Sequence, residues 1–351
     1  MTEAARSFGV YVHVPFCAHR CDYCAFATYS DRDHLMQEYV EAVIQEINWA
    51  REDGLAPATS VFFGGGTPSR LDPAQLLAIL DAIPRTEDAS VERLRAYRAG
   101  GVNRMSFGVQ STQPAVLADL GRRHGTMAHA EVSEAVTAAG FATWNMDLII
   151  GSRAESLEDV RSTLHDLLTL ESPPPHISCY VLTPEPGTPL GQDPLRHPDE
   201  DEAADAYDVV AEVLEGHGYL WEEISNWAKP GHECRHNHVY WDQDDYVGFG
   251  SAAHSHERGR RFWNVRTPDR YIAMVRDGDR PLGGEEELDD RTQRFERDSL
   301  ALRTSRGVPR EAFGSLDEIR HLVDVRDGRV TLAPQGRLLA NQVILRLNAA
   351  E

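Results

Sequence analysis

The sequence predicts an α/β fold in which a parallel sheet curls towards a barrel, followed by a small α+β, winged-helix-like C-terminal domain. Three observations predict it. Short apolar runs alternate with helical periods through residues 9 to 182. The polar motifs of that region fall at or just after the ends of those runs. Beyond Leu182 the texture changes and finishes in helices with a two-stranded wing. Strands alternating with helices imply a parallel sheet with helices outside, and repeated right-handed units curl it towards a barrel. In such barrels the active site gathers at the carboxyl ends of the strands.

Taken in order, the runs are Gly9 to Val14, Ser60 to Phe63, Arg104 to Val109, Thr143 to Ile150 and Ile177 to Leu182. Between them, spacings such as Tyr39-Val40-Val43-Ile44-Ile47 and Leu76-Leu77-Ile79-Leu80 fit one face of a helix. One break interrupts the rhythm. Helix-like Pro73 to Ile83 and Val91 to Ala99 follow one another with only polar residues between, so either the architecture is unusual or a strand is missing between Ala82 and Val91. After Leu182 comes a turn-rich connector, then an acidic amphipathic helix Asp199 to Gly216 and a strand-like Gly218 to Trp227. The segment to Ser255 is rich in His, Trp and Tyr. Thr267-Pro268 opens a helix with Thr as N-cap. The last part carries a helix around Phe295 to Leu302, a hairpin Val323 to Leu332 turning at Asp327-Gly328, and a final helix Gly336 to Leu347. The expected division is a barrel over 1–190, a connector and aromatic-rich region over 191–285, and the winged-helix-like domain over 286–351.

At 351 residues the chain is long enough for a large domain plus a smaller one. Its net charge of -21 argues against a nucleic-acid or anionic-membrane surface, and denies the wing a DNA-binding role. No apolar stretch approaches the roughly 18 residues that span a bilayer, and the first ten residues show no signal peptide. The expected compartment is the cytoplasm, whose reducing conditions suit free thiols.

Three of the five cysteines, Cys17, Cys21 and Cys24, stand at C-x3-C-x2-C spacing directly after the first apolar run. Three thiolates on a short loop can each take one iron of a four-iron cluster and leave the fourth iron open. A zinc site normally wants four ligands, commonly two C-x2-C pairs, and only one such pair is present. An odd number of cysteines without a secretory signal does not suit a disulfide framework. Cys179, inside a strand, reads as a small buried hydrophobe. Gly64-Gly65-Gly66-Thr67 follows the second run; its glycines allow close backbone approach to a ligand, or simply a tight turn. Gln110 and Asp147 are single polar groups at the ends of apolar runs, which are costly to bury alone. A polar ligand in the barrel mouth would explain both, and so, for Asp147, would a cap on the next helix. Arg122 reads either as a bidentate carboxylate partner or as a solvated surface arginine.

The cysteine spacing resembles the radical S-adenosylmethionine (SAM) superfamily. The motifs Tyr11-Val-His-Val-Pro-Phe-Cys17, Phe62-Phe-Gly-Gly-Gly-Thr-Pro-Ser69, Gly101 to Ser111, Glu223 to Gly231 and Cys234-Arg-His-Asn-His-Val-Tyr-Trp241 narrow the resemblance. They are similar to the oxygen-independent coproporphyrinogen III oxidase-like family, and to its HemW-type haem chaperone branch. That resemblance implies a partial (β/α)6 TIM-type radical SAM barrel. It implies a 4Fe-4S cluster on Cys17, Cys21 and Cys24, with SAM held by residues matching Tyr11, Tyr23, Gly65, Gly66, Thr67, Gln110, Arg122, Asp147 and the backbone of Val181. It also implies haem as cargo, with His236, Asn237 and Tyr240 as the associated motif; His232, His238, His254, His256 and Cys234 compete as ligands, and a structural loop is the other reading of His236.

Two features separate the branches. Phe26 stands where the dehydrogenases carry a further cysteine, and only about ten residues precede the first strand, against a longer arm in those enzymes. Both favour the chaperone, which delivers haem to haem-requiring apoproteins. The enzymatic alternative is oxidative decarboxylation of coproporphyrinogen III propionates by a 5'-deoxyadenosyl radical; no catalytic residue is assigned for it. Partners implied by the resemblance are haem or a porphyrinogen, haem-accepting apoproteins and an electron donor such as a flavodoxin or ferredoxin, with no nucleic acid. It also allows a homodimer and peripheral membrane contact. The chain departs from the family at the missing strand, where an acidic SAM contact is expected, at Gly151-Ser-Arg-Ala-Glu155, and at Ser315 to Val325, which is short. Missing segments and a diverged SAM site both explain these departures.

Overall fold

In the computed structural model, which describes residues 7–84, 97–122 and 129–347, the five apolar runs become β1 (Phe8–Val14), β2 (Ser60–Gly65), β3 (Arg104–Gln110), β4 (Thr143–Ile150) and β5 (His176–Val181). The helices between them start where the sequence supplies caps. Asp72 and Gln75 form a capping box before the helix Pro73–Ala82, and Ser156 and Asp159 do the same before Leu157–Leu168. Asp199 caps the helix Glu200–Gly216 by accepting from the amides of Asp201 and Glu202.

The remaining strands are β6 (Leu220–Glu223), β7 (Asn226–Ala228), β8 (Asp245–Phe249), β9 (His254–Glu257), β10 (Arg260–Asn264), β11 (Leu282–Glu287), β12 (Val308–Pro309), β13 (Val323–Arg326) and β14 (Arg329–Leu332). They complete three sheets, ordered β11-β10-β9-β8-β1-β2, β3-β4-β5-β7-β6 and β12-β14-β13. The central strands of the first two, β8-β1-β2 and β3-β4-β5, pair in parallel and form the two halves of the barrel wall. Among the described residues β2 and β3 share no pairing. The strand expected to be missing between Ala82 and Val91 falls within 85–96, outside the described residues, as does most of helix-like Val91 to Ala99.

Each half has its own core. Val10, Val12 and Val14 of β1 meet Tyr39, Val43 and Ile47 of the helix Met36–Glu52 and Tyr271 and Ile272 of the helix Pro268–Arg276. In the other half, Trp144, Met146 and Leu148 of β4 join Val210, Leu214 and Trp227, and that core runs on into Leu302, Val330 and Val343 of the last segment. Burying such side chains contributes about 1.5–3 kcal/mol each, so the wing is held to the barrel by shared apolar packing.

Three local expectations are corrected. Gly218 to Trp227 is a hairpin, β6 turning at Ile224-Ser225 into β7, because β7 must run antiparallel to β5 to close the sheet edge. The final helix is two short ones, Pro334–Arg337 and Ala340–Ile344. The chain breaks there because Arg337 turns inward, donating to Glu215 at 2.6 Å and lying 4.4 Å from the Trp221 ring. Thr267 occupies the N-cap position, but its side chain makes no capping hydrogen bond. The hairpin at Asp327-Gly328 is as expected, with both residues at positive φ, 49° and 73°.

Candidate functional site

The cysteine loop leaves the carboxyl end of β1 and is pinned at both ends to the first half of the barrel. The Cys17 amide donates to the Tyr29 carbonyl at 3.0 Å and the Tyr29 amide to the Pro15 carbonyl at 2.7 Å. His13 holds the Ala27 carbonyl through Nε2 at 3.0 Å. The glycine segment runs alongside: the amides of Gly66 and Thr67 donate to the carbonyls of Val14 and Phe16, both at 2.8 Å. A Cβ on Gly66 would lie 2.6 Å from the Phe16 oxygen and 2.8 Å from Cys17 Sγ, so only glycine lets these two segments meet. The Thr67 hydroxyl points at the same sulfur, 3.7 Å away. Burial pushes the Cys17 thiol up, the Thr67 and Thr28 hydroxyls oppose this, and Cys24 and Cys21 push it up further, so the three thiols share one electrostatic neighbourhood. Among the described residues no three His, Cys, Asp or Glu side chains surround a single ion position. Thiolates that each serve a separate corner of a cluster do not need to. Phe26 stands in solvent, 67% exposed.

The middle of the same loop is clamped to the second half. Arg196 donates to Asp22 at 3.1 Å, the Leu190 amide donates to the Asp22 carbonyl at 3.0 Å, and Tyr23 packs against Val116, Leu120, Ile149, Leu182 and Leu190. Beneath it, β3 carries a bulge between Gly108 and Gln110, and Gln110 adopts a φ of 69°. A Cβ on Gly108 would be 2.6 Å from the Gln110 side-chain amide and 2.9 Å from an Arg122 guanidinium nitrogen, so both polar groups converge above one glycine. Asp147, opposite Gly108 in register, accepts from Ser106 at 3.0 and 3.1 Å and from Asn145 at 2.6 Å. Burial raises its carboxyl pKa while those hydrogen bonds, a contribution from Ser178 and the Arg122 charge oppose the rise. Arg122 Nε is buried without a partner among the described residues. Val181 ends β5, its carbonyl 3.4 Å from the Thr183 hydroxyl. Tyr11, on β1, shares a hydrogen bond with His13 Nδ1 at 3.0 Å and stacks on Phe62. Thus Tyr23, Gln110, Arg122 and Asp147 gather on one half of the barrel, and Tyr11, Gly65, Gly66 and Thr67 on the other, with the cysteine loop between.

A buried polar chain that sequence reasoning missed leads away from Asp147. Asn145 donates to Ser106, Asp147 and Ser178 and meets His176 Nδ1 at 2.7 Å; His176 Nε2 reaches Glu222 at 3.0 Å. Glu222 also accepts from the Cys234 amide at 2.8 Å and pairs with His238 at 2.9 Å. Burial alone would raise the Glu222 carboxyl, but the two histidine hydrogen bonds outweigh it and hold its pKa at about 2. Its neighbour Glu223 is pushed up to about 7 by burial. The signal available in the sequence was two adjacent carboxylates inside an otherwise apolar strand.

The helix Arg235–Trp241 lies across the inner face of the first sheet, where Gly9 makes room: a Cβ there would be 3.1 Å from Val239. It carries His236, half-buried Asn237 and Tyr240. His236 shares one ring nitrogen with Ser60 at 2.7 Å and the other with Tyr240 at 2.8 Å, and its ring stacks on Phe62. A metal ion would have to displace one of those hydroxyls. Burial pushes its pKa down to about 4. The folded chain therefore keeps this ring neutral while the unfolded chain protonates near 6.5, so stability is complete above that pH and is lost as pH falls towards 4. Equilibrium denaturation is expected to show wild type losing on the order of 3 kcal/mol more than His236→Gln over that window; parallel curves for the two proteins would contradict it.

Comparison with known proteins gives the following. Residues 11–167 match the family described as the radical SAM superfamily. The chain is 34% identical to the protein named heme chaperone HemW of Mycobacterium tuberculosis, over 97% of this chain and 94% of that one. It is 32% identical to heme chaperone HemW of Bacillus subtilis, over 95% and 97% respectively. The crystal structure of HemN, the coproporphyrinogen III oxidase of Escherichia coli, superimposes with a TM-score of 0.83 at 22% identity, covering 97% of this chain and 89% of that one. That likeness shows the shared fold.

Proposed function

The chain belongs to the HemW family of radical SAM proteins, and on that ground we propose that it is a haem chaperone: it binds haem, delivers it to haem-requiring apoproteins, and carries a 4Fe-4S cluster and SAM. The observation that carries the cofactor reading is the buried Nε of Arg122, unpartnered among the described residues, beside Gln110 and Asp147 and next to Tyr23 of the cysteine loop. A buried guanidinium nitrogen with no acceptor is costly, and a ligand carboxylate such as that of SAM supplies one. Cys17, Cys21 and Cys24 would hold three irons of the cluster. Gly65, Gly66 and Thr67 offer backbone groups and a hydroxyl to the amino-acid part of SAM, while Tyr11, Tyr23, Gln110, Asp147 and the Val181 carbonyl line the rest. When bound, these groups supply one-electron radical chemistry, fed by a flavodoxin- or ferredoxin-type donor. The chain's own part is to orient SAM and exclude water. His236, Asn237 and Tyr240 would form the floor below the haem. Among the described residues no helix is long and apolar enough to cross a membrane.

An anaerobic haem titration followed by absorbance tests this reading, with saturable, stoichiometric binding as the expected result. A parallel assay of the reconstituted protein on coproporphyrinogen III is expected to give no protoporphyrinogen, and robust turnover there would replace the carrier with an enzyme.

A further inference from the structure

Beside the helix Arg235–Trp241 one cross-strand row of the first sheet's inner face carries aromatic rings, of which Phe62 and His254 are exposed and the first is also stacked under His236 of the helix. Phe62 of β2 stands opposite Tyr11 of β1, Tyr11 opposite Gly248 of β8, His254 of β9 opposite Trp263 of β10, and Trp263 opposite Gly284 of β11. Paired positions present their side chains on one face of a sheet, so these rings form a band across it. Glycine keeps the band low. A Cβ on Gly284 would be 2.5 Å from the Trp263 indole, and one on Gly64 would be 2.8 Å from the Phe62 ring and 2.9 Å from that of Tyr11. The adjacent row, Gly9, Tyr246 and His256, is the one the helix covers through Val239 and Tyr240.

The histidines near this face differ in what their ring nitrogens already do. His236 has both occupied, by Ser60 and Tyr240. His238 is held by Glu222 and Arg306, and His256 is buried, with Nδ1 against the Asp244 carbonyl and Nε2 enclosed without a partner among the described residues. His254 is exposed, its ring stacked on Trp263 at 5.6 Å and 23°, and neither nitrogen has a hydrogen-bond partner among the described residues. Partial burial and then the Arg261 charge lower its pKa.

We infer that this band is the resting place of the haem and that His254 is the ligand to its iron. The inference rests on the carrier reading above. A flat, apolar macrocycle packs over the Trp263 ring and the exposed part of Phe62, and an unengaged imidazole is what haem iron binds. The band begins at Tyr11 and Gly64, so the cargo lies next to the glycine segment and the cysteine loop.

The test titrates ferric haem, and iron-free protoporphyrin as a control, into the anaerobically purified full chain as wild type, His254→Ala and His236→Ala. Absorbance and electron paramagnetic resonance report the ligand field. His254→Ala is expected to lower haem affinity by about tenfold or more and to lose the histidine signature, which added imidazole restores, while its protoporphyrin binding is unchanged. His236→Ala is expected to weaken binding by removing a ring from the floor of the site while keeping the histidine signature. Haem binding with an unaltered signature in His254→Ala would overturn the ligand assignment and leave the carrier reading standing. Failure of the wild type to bind haem would overturn both.

Discussion

Cys21→Ala is expected to abolish cluster assembly. After anaerobic reconstitution the variant should hold little iron or acid-labile sulfide and lack the thiolate-to-iron absorption of the wild type. Cys21 sits midway along a loop fixed at both ends by the Tyr29 contacts and in its middle by Asp22. No other cysteine can replace it: Cys179 is buried inside β5 and Cys234 lies before the helix that crosses the sheet's inner face. Cys179→Ala is the matching control and should keep its cluster, losing only packing. Full iron and sulfide in Cys21→Ala would refute the ligand assignment. Titrating haem into the same variant also shows whether cargo binding needs the cluster.

Glu222→Gln is expected to be among the most damaging single changes outside that loop. Glu222 is 4% exposed and accepts from His176, His238 and the Cys234 amide. An amide offers one acceptor oxygen and turns an N–H towards groups that are themselves donors, so the expected cost is about 2–3 kcal/mol at neutral pH. The pH dependence has a definite sign. The folded carboxyl titrates near 2 and the unfolded one near 4.5, so its contribution is complete above 4.5 and disappears as pH falls towards 2. Chemical denaturation should therefore show the gap between wild type and variant closing across that acidic window. A gap that is small at neutral pH, or that does not change with acid, would show that the carboxylate is not held as described.

What was legible in the sequence was what local physics decides. The five barrel strands are apolar because one face of each packs into a core, and the cysteine loop is visible because ligand spacing is a local property. The hairpin β6-β7 was not legible, since its turn at Ile224-Ser225 carries no glycine, asparagine or proline and is imposed by pairing with β5. Nor was the break in the last helix, which follows from Arg337 finding Glu215 and Trp221 far back in the chain. The Glu222 chain joins Asn145, His176 and His238 from three separate segments, and only the parallel and antiparallel neighbours of β5 bring them together. His254 drew notice only as one of several nearby histidines. Its distinction is that it is exposed and that neither ring nitrogen has a hydrogen-bond partner among the described residues, a property of the folded surroundings.

The clamp on the cysteine loop bears on the order in which the protein is made. The Asp22 to Arg196 contact closes a sequence separation of 174 residues, and contacts of that range form late because the chain between them must first be ordered. The cysteines leave the ribosome well before Arg196, yet their shared frame arrives only when the connector beyond β5 has docked. Iron and sulfide delivered earlier would meet three thiols on an open strand, so the proposed cluster would be inserted at the end of folding.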